Sequence, residues 1–439
     1  MTEARLWQTG SPRSLAFGGA PRRVLVLYQH TAPGQMRSAL RQKVRVLEAS
    51  ATRHEVVSWN AGYIVPRAIR RLDVDAVILD NTLLVARWAP EFAARRPTFD
   101  WLAELEALKI AFPQDEYNHA HVLDDWLADL GVDVVFSVLG PEHRGLLYPR
   151  LGGMARFEKC LTAYVDELAV TRQAGVVLPH DRRPLDLAYR AQALSPRFGR
   201  LGQLKHTVAE TVAPPARAAG LRVDVSTDLR DAVLGEDWFA FIASTRAVLG
   251  SESGASAIDF RGELVAAEQP GMTFAEFDAA MPPGWDGRLP GSVGPRHLEA
   301  AAARTCQVLV EGGYDGVLEP GVHYLPVRAD GSDADAVVER LADHELVEGT
   351  ATRAYEDLVL SGRYGYAALA SQIERVLDEE RPAAGSADSL RVAQAAAAAY
   401  SAAVVRPPRW AYSAVDRVSP RLIRRLERER VRWYRRWAR

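Results

Sequence analysis

Short apolar runs alternate with amphipathic segments along the first third of the chain. The runs have the length and the β-branched composition of buried parallel strands, and helical periodicity fills the intervals between them. The five predicted strands are 24–28, 54–58, 76–79, 109–112 and 132–137. The predicted helices between them are 35–49, 68–72 and 119–130. Regular alternation of strands and helices predicts a doubly wound α/β sheet.

The same pattern restarts after residues 179–184, a segment containing proline and arginine that we interpret as a linker. The predicted strands of this second unit are 185–190, 221–225, 246–250, 306–310 and 322–327. A predicted helix over 203–219 is closed by Gly220, because a residue without Cβ suits the position after a helix C-terminus. Residues 261–294 are rich in glycine and proline and predict an irregular insertion, whereas 333–380 keep a helical period.

Two α/β units in one chain place a cleft between them. We expect the carboxyl ends of both sheets to face this cleft, where helix N-termini and strand-end loops present N–H groups to a ligand. The fold class predicted is α/β, with two facing Rossmann-like domains and a helical C-terminal extension. The predicted segments are a leader (1–22), an N-terminal Rossmann-like domain (23–184), a C-terminal Rossmann-like domain (185–381) and a linker with a basic tail (382–439).

The composition is that of a globular protein of two or three domains. The 439 residues are 48% hydrophobic and 25% charged, which excludes a disordered or fibrous chain, and a net charge of −2 gives no global field to attract nucleic acid. Cys160 and Cys306 have no Cys or His at metal-ligand spacing beside them, so we expect neither a disulfide framework nor structural zinc. Residues 1–23 lack the apolar core of a signal peptide, and the longest weakly apolar run, 395–405, is about half of the ~20 residues that span a bilayer. We therefore expect a cytoplasmic protein without a membrane-spanning helix.

Residues 417–439 carry the strongest charge asymmetry in the sequence. They hold ten arginines and two glutamates, a net charge of +8, so the rest of the chain carries −10. Their large apolar side chains recur at intervals of four and seven residues and include Leu422, Leu426, Trp433 and Trp437. A helix would place these on one face, and a basic amphipathic helix with Trp suits an anionic membrane surface. A helix packed on the protein's own acidic surface and a solvated tail are the alternatives, and nucleic acid is disfavoured because no reading motif is present.

Common nucleotide-binding and hydrolase motifs are absent from the sequence. No Gly-x-Gly-x-x-Gly follows the first strand, and no Gly-x-x-x-x-Gly-Lys-Ser/Thr loop occurs. Ser251 and Ser253 lie in a segment that lacks the Gly-x-Ser-x-Gly pattern. These absences weigh against NAD-dependent enzymes, P-loop NTPases and serine hydrolases.

The segment 250–256 follows a predicted strand, and its small residues would let the backbone approach a ligand closely. Groups at Ser251, Gly254 and Ser256 are candidates for phosphate binding. A tight Gly-Ser turn without a ligand is the alternative interpretation.

Three charged residues of the second unit could complete such a site. Arg190 ends the first strand of the unit and Lys205 lies near the start of its first helix, so both could reach a diphosphate. Each is alternatively an ordinary solvated cation. Glu299 lies in the first turns of a helix that Pro295 opens, and its carboxylate can accept hydrogen bonds from a vicinal diol such as a ribose. Alternatively, Glu299 only stabilises the helix N-terminus.

Residues 112–119 leave a predicted strand of the first unit with several ionisable side chains. Asp115, Glu116 or His119 could remove a proton from an acceptor hydroxyl if its pKa lies near the working pH. A turn followed by a helix cap is the alternative. His30, at the end of the first strand, is a similar candidate.

Residues 295–312 resemble the helix-plus-strand signature of group 1 glycosyltransferases of the GT-B fold. Further segments resemble a bacterial subset of these proteins, and they are 114–117, 161–165, 186–191, 250–256, 320–326 and 361–366. The resemblance covers most of 24–380. It implies a GT-B fold with an N-terminal acceptor domain and a C-terminal donor domain. It also implies transfer of a sugar from a nucleotide-sugar to a hydroxyl acceptor, as in cell-surface glycan or polysaccharide assembly, without a metal or cofactor.

The resemblance matches Glu299 to the second carboxylate of the family's Glu-x7-Glu motif, which grips the ribose of the donor. The first carboxylate would stand eight residues earlier, where this chain has Gly291. Either Glu252 substitutes for it from the preceding strand-end loop, or this branch has lost the sugar contact. Arg190, Lys205 and the loop after the strand would then stabilise the departing diphosphate, where negative charge develops. A non-catalytic nucleotide- or glycan-binding protein on the same scaffold is the alternative function.

Overall fold

The computed structural model describes residues 21–29, 46, 54–62, 65–233 and 236–379. Most of the predicted leader, His30, most of the predicted helix 35–49, and the linker and basic tail from 382 onward lie outside the described residues.

A six-stranded sheet forms the centre of the N-terminal lobe. Its strands lie in the order β2-β1-β3-β4-β5-β6, and every neighbouring pair is parallel. The strands are β1 (Arg23–Tyr28), β2 (Glu55–Asn60), β3 (Ala76–Leu79), β4 (Leu108–Ala111), β5 (Val134–Ser137) and β6 (Arg156–Lys159). The five strands predicted for this unit are confirmed within a few residues. The sequence pattern misses β6, because three of its four residues are charged and no apolar run marks this edge strand.

Short helices connect these strands, and one longer helix follows β4. The described helices of this part of the chain are α1 (Arg67–Arg70), α2 (Asn81–Leu84), α3 (Phe92–Arg95), α4 (Ala120–Leu130), α5 (Arg144–Leu147) and α6 (Glu167–Gln173). The helix predicted over 119–130 is α4, which ends at Leu130 because Gly131 adopts the left-handed conformation that closes a helix.

A five-stranded parallel sheet forms the centre of the C-terminal lobe, in the order β11-β10-β9-β7-β8. The strands are β7 (Leu185–Arg190), β8 (Val223–Ser226), β9 (Thr245–Gly250), β10 (Cys306–Val310) and β11 (Leu325–Val327). The helices are α7 (Gly199–Ala218), α8 (Glu236–Ala243), α9 (Glu263–Ala267), α10 (Phe274–Ala280), α11 (Pro295–Ala302), α12 (Ala334–Ala342), α13 (His344–Tyr355) and α14 (Tyr366–Glu379). All five predicted strands are confirmed, and α7 begins four residues earlier than the pattern predicts.

The two sheets have the same strand order around their first strand. In each, the first strand of the lobe lies between the second and the third, so the chain reverses direction across the sheet at that point. Ligands of open α/β sheets bind in the crevice outside the carboxyl ends of the strands at such a switch point. In the C-terminal lobe, the switch lies between β7 and β9, where α7 and the loop after β9 begin.

The last described helix, α14, packs on the N-terminal lobe. Its buried residues belong to the same apolar core as strands β1 to β5, and this set includes Leu369, Ile373, Val376 and Leu377. Two surface ion pairs, Arg156–Glu379 and Arg375–Glu158, join α14 to β6. By its contacts α14 is therefore part of the N-terminal lobe, whereas the predicted boundaries placed it in a C-terminal domain of 185–381.

The glycine-rich insertion is more ordered than the composition predicts. It contains α9 and α10, and a small apolar core of its own holds Ala257, Leu264, Phe277 and Trp285. A capping box at Thr273 and Glu276 starts α10.

Backbone hydrogen bonds join the two lobes at the carboxyl ends of their sheets. The Asp259 amide donates to the Tyr117 carbonyl at 2.8 Å. In return, the amides of Ala120 and His121, at the start of α4, donate to the carbonyls of Asp259 and Phe260 at 2.9 and 3.0 Å. Two of the four N–H groups that a helix N-terminus leaves free are thus satisfied from the other lobe.

A second set of contacts joins the lobes beyond β6. Lys159 Nζ donates to Asp315 Oδ1 at 2.7 Å, and the Thr162 hydroxyl donates to the Val293 carbonyl. Because Lys159 ends β6 and Asp315 follows β10, the carboxyl edges of the two sheets face each other. The predicted architecture of two facing Rossmann-like domains of GT-B type is confirmed by these strand orders and contacts.

Candidate functional site

Three loops meet at the carboxyl edge of the C-terminal sheet. They are the β9 loop (251–256), the α11 loop (291–294) and the β10 loop (311–316). Ser253 and Ser292 join the first two by reciprocal backbone hydrogen bonds of 2.8 and 2.9 Å. Asp315 joins the second to the third, since its Oδ2 accepts from the Val293 amide at 2.9 Å.

Glu252 lies at the centre of these loops. Its Oε1 accepts a hydrogen bond from the Tyr314 amide at 2.7 Å. Burial raises the pKa of the Glu252 carboxyl, and the amides of Tyr314 and Gly313 oppose that rise. A Cβ added at Gly291 would lie 2.4 Å from Glu252 Cβ, so this position has to be glycine while Glu252 is present. A Cβ added at Gly312 would lie 2.6 Å from Glu252 Cδ, so the end of the Glu252 side chain would have to move. The carboxylate of Glu252 therefore lies directly beside the position at which the Glu-x7-Glu motif has its first carboxylate.

His297, on the first turn of α11, joins the α11 loop to the β9 loop by hydrogen bonds. Its Nδ1 accepts from the Gly294 amide at 2.8 Å, a further hydrogen bond reaches the backbone of Ser251, and its ring packs edge-on against Tyr314 with centroids 5.1 Å apart. Burial lowers the pKa of His297 to about 4, so the imidazole is neutral at physiological pH. Sequence reasoning did not single out this residue, although it lies inside the run 295–312.

Lys205 is a cation with no partner among the described residues. It lies in the first half of α7, is partly buried, and forms no hydrogen bond or ion pair within the described part of the chain. Burial lowers the pKa of the Lys205 ammonium, the Arg296 charge lowers it further and the Asp115 carboxylate raises it. Lys205 therefore lies within electrostatic range of Arg296 in its own lobe and of Asp115 in the other.

Glu299 and Arg296 meet on the side chain of Trp238, on α8. The indole Nε1–H of Trp238 donates to Glu299 Oε2 at 2.7 Å. The Arg296 guanidinium lies 4.9 Å from the centroid of the Trp238 ring, in a cation–π contact. Two charged groups of opposite sign are thus positioned by one aromatic residue. Trp238 was not predicted, because 61 residues separate it from Glu299 and no motif marks it.

The β9 loop presents only part of the predicted phosphate site. Ser251 is buried, and Gly254 has a left-handed backbone with a φ of 108° that favours glycine. The amides of Glu252, Gly254 and Ala255 donate to no group among the described residues. These three amides are the donors that this loop leaves for an anion.

Ser256 has a structural role in the start of α7. Its hydroxyl donates to Asp286 Oδ1 at 2.5 Å and accepts from the Leu201 amide at 3.1 Å. Its own amide donates to the Phe198 carbonyl at 3.1 Å. Because these groups are already bonded, we do not retain Ser256 as a phosphate ligand.

The guanidinium of Arg190 is paired within its own lobe. Both oxygens of the Asp224 carboxylate accept from its Nη2 at 2.8 Å, and its Nε donates to the Asp231 carbonyl at 3.0 Å. Its guanidinium also lies 4.7 Å from the Phe241 ring centroid. Among the described arginines, the charge that acts on the pKa of Lys205 is that of Arg296. The clamp of Arg190 and Lys205 on a diphosphate stays a prediction.

Of the predicted proton acceptors in the N-terminal lobe, Glu116 is the least accessible. It is 1% exposed, and its two oxygens accept from the Ser137 hydroxyl at 2.7 Å, the Tyr148 hydroxyl at 2.6 Å and the Val138 amide at 2.8 Å. These bonds tie together the segments after β4 and β5. Glu116 therefore supports the loop, and we do not retain it as a base.

His119 and Asp115 both have left-handed backbones, with φ of 53° and 51°. His119 Nδ1 lies 2.7 Å from Asn118 Oδ1, while its Nε2 faces Gly262 of the other lobe, at 3.0 Å from where a Cβ would be. Burial lowers the pKa of His119. His119 thus lies in the contact between the lobes, not in open cleft.

Asp115 is the predicted acid–base candidate that faces the loops of the C-terminal lobe. Its Oδ1 accepts from the Tyr117 hydroxyl at 2.9 Å, and its charge acts on Lys205. The buried guanidinium of Arg87 fixes the backbone here, because it donates to the carbonyls of Asp115 at 2.7 Å and of Asn118 at 2.9 Å. A strained loop is stable only when its surroundings hold it in this way.

The described ranges contain neither a metal site nor a membrane-spanning helix. Within them, no group of three or more His, Cys, Asp or Glu side chains is arranged to hold a metal ion. In the same ranges, no helix combines the length and the apolar character needed to cross a bilayer.

Comparison with known proteins gives similar solved structures at low identity. HepE from Anabaena, crystallised with UDP and glucose, has a TM-score of 0.46 and 11% identity over 82% of this chain and 100% of its own. Sucrose-phosphate synthase from Thermosynechococcus elongatus has a TM-score of 0.45 and 12% identity over 82% and 98% of the two chains. The trehalose-6-phosphate synthase OtsA has a TM-score of 0.46 and 11% identity over 82% and 100%. No protein-family model and no curated protein matches the chain. The fold assignment rests on the strand orders and lobe contacts described above.

Proposed function

We propose that this protein transfers a glycosyl group from a nucleotide-sugar to a hydroxyl acceptor in the cleft between its lobes. The observation that carries the proposal is the grouping of Lys205, Arg296 and Glu299 beside the switch point of the C-terminal sheet, with Asp115 opposite. Two cations suit a diphosphate, and a carboxylate suits the ribose diol.

Each group has a defined part in the reaction. An oxygen of the acceptor attacks the anomeric carbon, and the bond from that carbon to the diphosphate oxygen breaks. Lys205, Arg296 and the amides of Gly254 and Ala255 stabilise the negative charge that develops on the diphosphate. The acceptor proton passes to Asp115 or to an oxygen of the departing diphosphate.

Glu252 takes the place of the missing motif carboxylate in this proposal. It lies against Gly291, and the described amides that act on its carboxylate are those of Tyr314 and Gly313. A carboxylate has about four lone-pair sites, so acceptor capacity remains for sugar hydroxyls. The glycine at 291 is then a consequence of where Glu252 lies.

A non-catalytic binding protein on the same scaffold is the second candidate. It is favoured by the Asp315 carboxylate, which accepts the hydrogen bond of the Val293 amide in the α11 loop. An anion already bound there reduces the number of donors available to a leaving diphosphate.

Two measurements test the proposal. Thermal shift with a panel of nucleoside diphosphates should show stabilisation, since a ligand at 100 times its Kd contributes ~2.7 kcal/mol. Release of nucleotide from a panel of nucleotide-sugars should then fall at least about tenfold in Glu299→Ala. Glu339→Ala, at an exposed position on α12, is the matched control. Binding without release would favour the second candidate, and equal release by wild type and Glu299→Ala would contradict the assignment of Glu299.

The basic tail suggests a place for the reaction. We propose that residues 417–439 bring the enzyme to an anionic membrane surface, where a lipid-linked or cell-surface glycan acceptor is presented. Flotation with phosphatidylserine-containing liposomes should recover the full chain and not a chain ending at Ala403. Equal partitioning of the two would reject the membrane role, and phosphatidylcholine liposomes are the control for charge.

A further inference from the structure

We propose that Trp238 is a positioning residue of the donor site, which sets the Glu299 carboxylate and the Arg296 guanidinium in place together. The inference rests on the proposed function, because Glu299 and Arg296 are its ribose and diphosphate groups. It adds a residue that no sequence motif marks.

The geometry gives Trp238 two distinct contacts. Its indole N–H donates to Glu299 Oε2 at 2.7 Å, and the face of its ring lies 4.9 Å from the Arg296 guanidinium. Glu299 and Arg296 are three residues apart on α11, so they project from neighbouring points of the same helix face. The ring of Trp238, on α8, lies against both.

The hydrogen bond to Glu299 has a clear consequence for a diol. An indole N–H can only donate, so it binds one carboxylate oxygen and turns the carboxylate plane. A ribose that contributes two hydroxyls requires this plane to be fixed, because both bonds form only in one orientation. Without the N–H, Glu299 would lose rotamer freedom on binding, at a cost in affinity.

The cation–π contact has a separate consequence for the diphosphate. Arg296 is exposed, and its guanidinium also donates to the Arg190 carbonyl. The planar guanidinium stacks on the flat ring and is held toward the side of the site where Lys205 lies. Arg190, whose guanidinium pairs with Asp224, thereby contributes through its backbone carbonyl.

Two substitutions separate these contacts. Trp238→Phe keeps an aromatic face for Arg296 and removes the N–H donor to Glu299. Trp238→Leu removes both. Phe241→Leu, one turn along α8, is the control, because the Phe241 ring stacks with Arg190 and its centroid lies 6.0 Å from that of Trp238.

The test is equilibrium binding, measured by calorimetry on the full chain. UDP, GDP, ADP and CDP are compared first with the wild type. The tightest of them is then compared with its 2′-deoxy form and with inorganic pyrophosphate, on the wild type and on each variant. The wild type should prefer the ribose form by about tenfold.

Trp238→Phe should lower this preference to about threefold or less and leave the pyrophosphate Kd unchanged. Trp238→Leu should lower the preference and also weaken pyrophosphate by about threefold or more. Phe241→Leu should keep the wild-type preference. The ribose preference is a ratio of two affinities measured on the same variant, so a general loss of stability does not change it. If Trp238→Leu does not fold, Trp238→Phe alone provides the test.

The proposed function and the role of Trp238 would be contradicted by different results. A wild type that binds none of the four nucleotides overturns the proposed function and this inference with it. A wild type that binds one of them, with an unchanged ribose preference in Trp238→Phe, overturns the role of Trp238 alone.

Discussion

Lys205 is a partly buried ammonium without a hydrogen-bond partner among the described residues, and burial lowers its pKa. A cation in this position destabilises the ligand-free protein, because it has lost water without gaining an acceptor. We expect Lys205→Met to raise Tm by about 2–4 °C, corresponding to about 1 kcal/mol, and to weaken nucleoside diphosphate binding at least about tenfold. Differential scanning calorimetry and isothermal titration measure the two effects.

Arg200→Met, at an exposed position on the same helix, is the control for Lys205→Met. It should change neither quantity appreciably. A drop in Tm for Lys205→Met together with unchanged binding would contradict a ligand-binding role for the lysine.

His297 makes the stability of the protein sensitive to acid. Its pKa is about 4 in the folded protein and 6.5 for an unperturbed histidine, so the unfolded chain binds the proton more readily. Stability is therefore complete above about pH 6.5 and falls as the pH decreases toward 4, by up to about 3 kcal/mol. Denaturant unfolding at several pH values should show a shallower acid limb in His297→Asn, which keeps an acceptor for the Gly294 amide and does not titrate. If the free energy of unfolding falls equally with decreasing pH in the two proteins, His297 is not the source of the acid sensitivity.

Residue types at strand ends were predictable, and the partners of those residues were not. Arg190 was a reasonable diphosphate ligand from its position, but its guanidinium pairs with Asp224, which only the adjacency of β7 and β8 brings near. Glu116 and Asp115 are neighbours in the chain and point to different surroundings, one buried and one facing the cleft. The local pattern carries no information on such choices, because they depend on packing between distant segments.

At the scale of elements, the β9 and α11 loops are fitted to each other around Glu252. A methyl group at Gly291 has no space, so Gly291→Ala should destabilise the protein by about 1–3 kcal/mol in denaturant unfolding. Gly313→Ala is the matched control, since a Cβ there would lie 3.8 Å from the nearest Glu252 atom and needs no left-handed backbone.

The same fit predicts that the two positions are coupled. Glu252→Gly should relieve most of the cost of Gly291→Ala in a double-mutant cycle. The exchange Glu252→Gly with Gly291→Glu moves the carboxylate to the motif position and should retain more nucleotide release than Glu252→Gly alone. Additive stability changes would show that the loops relax independently.

Most elements follow from the sequence pattern, with informative exceptions. Strands β1, β3, β4, β5, β9 and β10 are marked by runs of buried residues because both faces of a parallel sheet are covered. Strand β6 lies at the sheet edge and is mostly charged, and α9 and α10 interrupt a segment whose glycines favour loops. Their positions are set by packing on Phe277 and Trp285, which composition does not reveal.

At the scale of the whole molecule, the backbone hydrogen bonds between residues 117–121 and 259–260 couple the two lobes, so a change on one side of the contact affects the other. The exposed pair Arg261–Asp125, at 3.0 Å, lies beside them. Arg261→Glu would place two carboxylates together, and we expect exchange of the Ala120 and His121 amides to accelerate about fivefold. Hydrogen exchange with peptide-level mass spectrometry measures this, and Arg230→Glu, which breaks an ion pair within one lobe, is the control. Unchanged exchange at α4 would show that the contact is held by the backbone bonds alone.

The return of α14 to the N-terminal lobe fixes an order of events during synthesis. The ribosome delivers the strands of that lobe first, yet Leu369, Ile373 and Leu377, which complete its core, emerge only after the entire C-terminal sheet. The lobe made first is finished last. Its apolar face stays exposed while roughly half the chain is translated. We therefore expect a ribosome-associated chaperone to bind the nascent N-terminal lobe.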